Sequence, residues 1–253
     1  MRQRIGLLGG SFDPIHVGHL ALGRAAALAL RLDRMLVIPT GHSYQKGHRQ
    51  TPAEHRLAMT RLAVAAIGAE DDSGHGPPVG RDHGGPDSRD SSGPANRDGG
   101  VPACRWEVDE IEVRRDGPSY TIDTLAELRR RLGAEPALIL ILGSDQLRNL
   151  ATWHRWQELL DFAHIAVTQR EQVSLADLPP PVDALLARHG ADALPDTPGG
   201  AIVLFRMPAV AVSATGLRRA LANGSPVDRL LPAAVADYAR SHDLYAGLRD
   251  DSR

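Results

Sequence analysis

The chain is short of cysteine, of net charge and of long apolar runs, and each shortage removes a class of protein. Cys104 is the single cysteine among 253 residues. That excludes a disulfide framework and fits a reducing compartment. With 29 Lys and Arg against 31 Asp and Glu, the formal net charge is -2. Such a chain carries no global basic field, so no nucleic-acid partner is expected, although a local phosphate site remains compatible. The longest clean apolar run, Ala137 to Leu142, is far shorter than a membrane span. The apolar stretch from Ile5 to Leu8 is too short for the core of a signal peptide. The expectation is a soluble, cytoplasmic globular protein that does not engage a membrane.

Apolar residues are also missing from one internal stretch. Residues 71–103 hold 8 Gly, 5 Pro, 6 Asp and 4 Ser, and no Leu, Ile, Phe, Met, Trp or Tyr. A segment of that composition cannot bury enough surface to offset its ordering entropy, so it reads as a disordered, low-complexity insertion. The globular part is then about 220 residues, within the range of one domain.

What is present alternates between strand and helix patterns. Arg4 to Gly9 reads as a buried strand ending in a Gly-Gly turn, and His16 to Leu32 as a helix. Met35 to Pro39 is a second strand. Thr51-Pro52-Ala53-Glu54 reads as a capped helix start, with the helix running to about Ile67. Strands are expected at Trp106–Val113, Ala137–Leu142, Ala163–Thr168 and Ala201–Phe205, and helices at Thr121–Leu132, Ser213–Ala222 and Val227–Ser241. Glu171 to Gly200 reads as a long connection with a short helix. This alternation implies an α/β fold built on a mostly parallel sheet.

In open parallel sheets ligands bind at the carboxyl ends of strands. The string there is Gly9-Gly10-Ser11-Phe12-Asp13-Pro14-Ile15-His16-Val17-Gly18-His19. Gly9 and Gly10 let backbone approach a ligand without an intervening Cβ. The helix that follows offers free N–H groups and a positive dipole end, a natural phosphate site. His16 and His19, three apart, share one helix face, and Gly18 keeps that face open. Two imidazole donors at such a place suit the charge that develops in phosphoryl transfer. The bland reading, a tight turn with two surface histidines, suits either histidine taken singly but not the whole string. Neither a Walker A loop nor a GxGxxG dinucleotide fingerprint is present.

This string resembles the signature of the HxGH nucleotidyltransferase superfamily, which shares a Rossmann-like fold with class I aminoacyl-tRNA synthetases. The expected architecture is accordingly a doubly wound parallel sheet with helices on both faces. A second string, Val212-Ser213-Ala214-Thr215-Gly216-Leu217-Arg218, opens a helix just after a strand. Ser213 suits an N-cap, hydroxyls at Ser213 and Thr215 can bond phosphate oxygens, and Arg218 can offer a bidentate fork. An ordinary capped helix with a surface arginine would look the same. Beside the first motif the string is similar to the superfamily's ISSTxxR signature, with Val212 for Ile and Ala214 for the middle Ser. That likeness implies that Ser213, Thr215 and Arg218 hold ATP phosphates.

Further segments resemble bacterial nicotinate-mononucleotide adenylyltransferases: Pro118-Ser119-Tyr120-Thr121 with Thr124, then Gly143-Ser144-Asp145, then Thr152-Trp153-His154, and a C-terminal stretch through Leu230-Leu231-Pro232, Val235, Tyr238, Leu244 and Tyr245. Asp145 could bond ribose hydroxyls or cap a helix. Trp153 and Trp156 could stack on a heterocycle or pack in the core, and core packing is favoured for Trp156. The resemblance implies that Trp153 stacks on nicotinate, that backbone near Thr121 and His154 meets the pyridine carboxylate, and that Ser119 and Tyr120 belong to the same wall. His154 stands where many members have Tyr. The family's P-P-H-K/R segment appears here as Gln45-Lys46-Gly47-His48-Arg49, in which His48 and Arg49 keep a basic role and Lys46 adds a charge.

The activity this resemblance implies is adenylyl transfer from ATP to nicotinate mononucleotide. His16, His19, Lys46 and Arg218 would serve the phosphates, and Mg²⁺ would be held mainly by those phosphates and water rather than by a protein-built metal site. Nicotinamide mononucleotide or phosphopantetheine as acceptor, and a non-catalytic His-rich metal binder or an inactive nucleotide-binding regulator, are the alternatives. A homo-oligomer is left open.

Overall fold

The computed structural model describes residues 1–42, 50–72, 104–169 and 178–248. Most of the 71–103 insertion, together with Lys46, His48 and Arg49, lies outside the described residues. The seven described strands are β1 (Arg4–Gly10), β2 (Arg34–Pro39), β3 (Arg105–Val108), β4 (Ala137–Gly143), β5 (His164–Gln169), β6 (Gly190–Ala191) and β7 (Ile202–Arg206). They form one sheet in the order β3-β2-β1-β4-β5-β7-β6, and every neighbouring pair is parallel. The chain therefore has the Rossmann-like doubly wound α/β fold. The strand order reverses direction between β1 and β4, which is where such sheets open a crevice at their carboxyl edge.

Side-chain alternation along the central strands feeds two cores. Ile139 and Ile141 of β4 face one core, and Leu138, Leu140 and Leu142 the other. The first core takes α1 (Val17–Leu30), α2 (Ala53–Asp72), α7 (Ala214–Ala222) and α8 (Ala233–Ser241). The second takes α3 (Thr121–Leu132), the short helices α4 (Ser144–Arg148) and α5 (Leu159–Phe162), and α6 (Pro180–His189). A strand buried on both faces reads in sequence as a continuous apolar run, as Ala137 to Leu142 does.

Several boundaries differ from the sequence expectation for physical reasons. The strand expected over Trp106–Val113 stops at Val108, because the Asp109 carboxylate accepts the Ile111 amide (3.1 Å) and turns the chain. The helix expected over Val227–Ser241 begins only at Ala233. Pro232 precedes it, and its carbonyl accepts the amides of Val235 and Ala236. Helix α2 continues past Ile67 to Asp72, so residues 71 and 72 are helical. Pro52 precedes α2 rather than opening it. The connection after Glu171 supplies the two-residue strand β6 besides its helix.

Candidate active site

A cleft of about 330 Å³ opens at the carboxyl ends of β1, β2 and β4, on the boundary where the sheet order reverses. Gly9, Gly10, Ser11 and His19 line it on the β1 side, Gly143, Asp145 and Trp153 on the β4 side, and Ser119 and Thr121 on the segment entering α3. These nine residues of the sequence reading converge on one cavity. Phe12, His16, Gly18, Tyr120, His154, Ser213, Thr215 and Arg218 are not among its lining.

The histidine pair is built differently from two residues on a helix face. His16 is the N-cap of α1, with extended backbone, and only His19 lies inside the helix. The rings nevertheless stack, with centroids 3.7 Å apart. The His16 backbone N–H donates to His19 Nδ1 at 3.2 Å. An acceptor Nδ1 places the proton of a neutral His19 ring on Nε2. Phe12 lies behind the pair, buried, with its ring edge-on to His19 at 5.0 Å. Its φ of 46° is left-handed, a conformation a bulky residue adopts only when its surroundings impose it. His16 is buried, and that burial pulls its imidazole down to about 4. It is neutral at pH 7.

The second string sits directly against the first. A Cβ on Gly18 would come within 2.8 Å of Val212 Cγ1, so the glycine is what lets the two motifs touch. Ser213 caps α7, its Oγ accepting the Gly216 amide at 3.1 Å. Arg218 bridges the motifs: one Nη donates to the Asp13 carbonyl (2.9 Å), the other to Thr215 Oγ1 (3.2 Å). Its fork is thus already oriented by protein acceptors beside the N-terminus of α1.

Across the cleft, Asp145 is exposed in the first turn of α4, whose N-cap is Gly143. Trp153 is half-buried; its Nε1 is buried with no hydrogen-bond partner among the described residues. Both Trp153 and Trp156 pack against the second core, but only Trp153 of the two also lines the cleft. His154 is exposed, and its ring lies 4.4 Å from that of Tyr120, the N-cap of α3.

Three residues that the sequence reading missed hold this frame together. Asp13, within the first motif, is buried; its carboxylate accepts the Tyr245 hydroxyl (2.8 Å) and the Thr51 amide (3.3 Å). Arg56, 1% exposed, donates to the carbonyls of Ser11 (2.8 Å), Thr40 (2.6 Å), Gly41 (2.9 Å) and Thr51 (2.8 Å). Burial depresses its guanidinium, and the Asp13 carboxylate is the main influence in the opposite direction. Glu112, also buried, belongs to the cleft wall. A sequence signal existed for Arg56 alone: it stands on the same helical stripe as the buried Met59, Thr60, Ala63 and Ile67.

The family described as cytidylyltransferase-like matches residues 7–220. A nicotinate-nucleotide adenylyltransferase of Pseudomonas fluorescens is 39% identical over 250 residues, covering 97% of this chain and 98% of its own. The corresponding protein of Aeromonas salmonicida is 40% identical over 248 residues, covering 97% and 98%. This chain belongs to the nicotinate-nucleotide adenylyltransferase family. Among solved structures, the Plasmodium falciparum nicotinic acid mononucleotide adenylyltransferase complexed with NaAD superposes with a TM-score of 0.63 at 15% identity, over 96% of this chain and 98% of that one. At that identity the likeness concerns the fold.

No helix among the described residues is long and apolar enough to cross a membrane. Nor does any group of three His, Cys, Asp or Glu among the described residues come together to hold a metal ion.

Proposed function

We propose that this protein transfers the adenylyl group of ATP to nicotinate mononucleotide, giving nicotinate adenine dinucleotide and pyrophosphate. The observation that carries the proposal is the convergence of Gly9 to Ser11, His19, Asp145 and Trp153 on one cleft at the β1/β4 boundary. A phosphate oxygen of the mononucleotide attacks the α-phosphorus of ATP in line. A new P–O bond forms there as the bond to the β-phosphate bridging oxygen breaks. No protein nucleophile is required, because catalysis consists of positioning and charge stabilisation.

ATP lies along the Gly9–Ser11 backbone toward the N-terminus of α1, whose free amides and dipole attract phosphate oxygens. His19 Nε2–H donates to the α-phosphate. Arg218 and Thr215 meet the departing phosphates beside Ser213, and Asp145 accepts from ribose hydroxyls. Neutral His16 supports the His19 ring by stacking. Trp153 stacks on the pyridine ring of the acceptor, opposite the Ser119–Thr121 wall, with Tyr120 and His154 closing the edge. Lys46, His48 and Arg49 add cationic groups in the segment that follows β2. Mg²⁺ would arrive with the triphosphate, held mainly by phosphate oxygens and water. When bound it neutralises phosphate charge. A cytoplasmic location fits the single cysteine.

The test is His19→Ala. Pyrophosphate release should fall by at least about a hundredfold, the scale of losing one transition-state donor, while the circular dichroism spectrum is unchanged. Turnover near that of the wild type would remove His19 from the chemistry.

A further inference from the structure

Glu112 lies on the connection between β3 and α3, outside every motif in the sequence, yet it forms part of the cleft wall beside Ser119, Thr121 and Thr124. Its carboxylate accepts Thr124 Oγ1 at 2.9 Å, and the hydroxyls of Ser119 and Thr40 are near enough to help hold its carboxyl down. These three hydroxyls come from three places: the end of β2, the loop before α3, and α3 itself. Each is in turn fixed. Ser119 Oγ accepts the Gly41 amide at 3.2 Å. Thr124 Oγ1 accepts Arg115 Nη1 at 3.0 Å, and the Tyr120 carbonyl lies 3.3 Å from it as a second, longer acceptor. The Ser119 amide donates to the His42 carbonyl at 3.0 Å.

The junction has no slack. A Cβ on Gly41 would come within 2.0 Å of the Glu112 carbonyl oxygen, so the end of β2 and the Glu112 backbone meet in direct contact. Burial pushes the Glu112 carboxyl upward, and the hydroxyl of Thr124, the charge of Arg115 and the hydroxyls of Ser119 and Thr40 pull it back. A buried carboxylate surrounded by three oriented hydroxyls has a strong preference for one geometry.

We propose that Glu112 is the positioning residue of the acceptor half of the cleft, gathering the hydroxyls of Thr40, Ser119 and Thr124 so that the Ser119–Thr121 wall stands at a fixed distance from Trp153. The width of that slot is what selects a flat heterocycle. The inference rests on the acceptor lying between this wall and Trp153.

The experiment is steady-state kinetics of Glu112→Gln, measured separately against nicotinate mononucleotide and ATP. Gln keeps the shape but carries an NH₂ that cannot accept a hydroxyl proton, so at least one hydroxyl must turn away. KM for the acceptor should rise about tenfold, the scale of one charge-assisted hydrogen bond, while KM for ATP stays within about twofold. Glu112→Asp, which keeps the charge, should recover part of the loss. Equal rises in both KM values, or a fall in kcat with neither KM changed, would overturn the proposal. If Glu112→Gln does not fold, Ser119→Ala and Thr40→Val remove the same contacts singly, and an unchanged acceptor KM in both would overturn it equally. Wild-type protein inactive toward nicotinate mononucleotide would instead refute the function proposed above. An active wild type with a normal acceptor KM in Glu112→Gln would refute the positioning role alone.

Discussion

Replacing Arg56 with Met should cost this protein a large share of its stability, although Arg56 contacts neither core as an apolar residue would. The guanidinium is 1% exposed and holds four carbonyls, those of Ser11, Thr40, Gly41 and Thr51. Met fills much the same volume but offers no donor. A buried carbonyl deprived of its partner costs about 1 kcal/mol at the low end of the usual range, so four give about 4 kcal/mol. Against this stands the desolvation of a buried cation, which the variant no longer bears and which the depressed guanidinium pKa records. The net expectation is a loss of about 3 kcal/mol. Typical domains have only about 5–15 kcal/mol in total. At this size such a loss lowers Tm by roughly 10 °C. Arg56→Lys should recover only part, because one ammonium cannot span carbonyls on three sides. Urea titration of all three proteins, followed by tryptophan fluorescence, gives the numbers. A loss below about 1 kcal/mol in Arg56→Met would refute the view that this arginine ties the first motif to the end of β2.

Two further outcomes follow from the same geometry. His16 is held neutral, with its folded-state pKa near 4 against 6.5 when unfolded, and buried His164 is shifted in the same direction. The unfolded chain therefore binds more protons than the folded one between pH 6.5 and 4. Stability should fall as pH drops through that window, with His16 contributing about 3 kcal/mol. Glu112, shifted upward, acts with the opposite sign, so the difference between wild type and His16→Gln isolates the histidine; equal slopes for the two would contradict it. Tyr245→Phe removes the hydroxyl that donates to the buried Asp13 carboxylate at 2.8 Å. It should destabilise the protein by about 2 kcal/mol, the scale of a hydrogen bond to a charged group, and an unchanged urea midpoint would show that the C-terminal segment does not anchor the first motif.

The parts of the fold that were legible in the sequence are those whose signal is local. β4 appears as an unbroken apolar run because both its faces are buried. The bounds of α3 follow from the sequence itself, since its buried Ile122, Leu125 and Leu128 recur at helical spacing and Gly133 ends it. Helices of five and four residues, α4 and α5, show no periodicity to read, and a two-residue strand such as β6 shows none either. The site divides the same way. Many of the cleft-lining residues sit in contiguous strings, which is why Gly9 to Ser11, His19, Asp145 and Trp153 are legible in the sequence. Residues that hold those strings together are distant in sequence. Tyr245 reaches Asp13 across 232 positions, and Glu112 gathers Thr40, Ser119 and Thr124 from separate elements. Asp13 lay in plain view within the motif, but its role belongs to Tyr245 and Thr51, which no spacing connects to it. The paired histidines show the limit in miniature. A separation of three predicts one shared helical face, whereas His16 caps the helix and the rings meet by stacking.

The measurement that bears most directly on the central claim is a pyrophosphate-release assay of the full chain with ATP, Mg²⁺ and a panel of acceptors, with the dinucleotide product identified by mass. Nicotinate mononucleotide should be turned over with stoichiometric nicotinate adenine dinucleotide and pyrophosphate, well ahead of nicotinamide mononucleotide and phosphopantetheine. Turnover with phosphopantetheine alone, or no turnover with any of the three, would contradict the account.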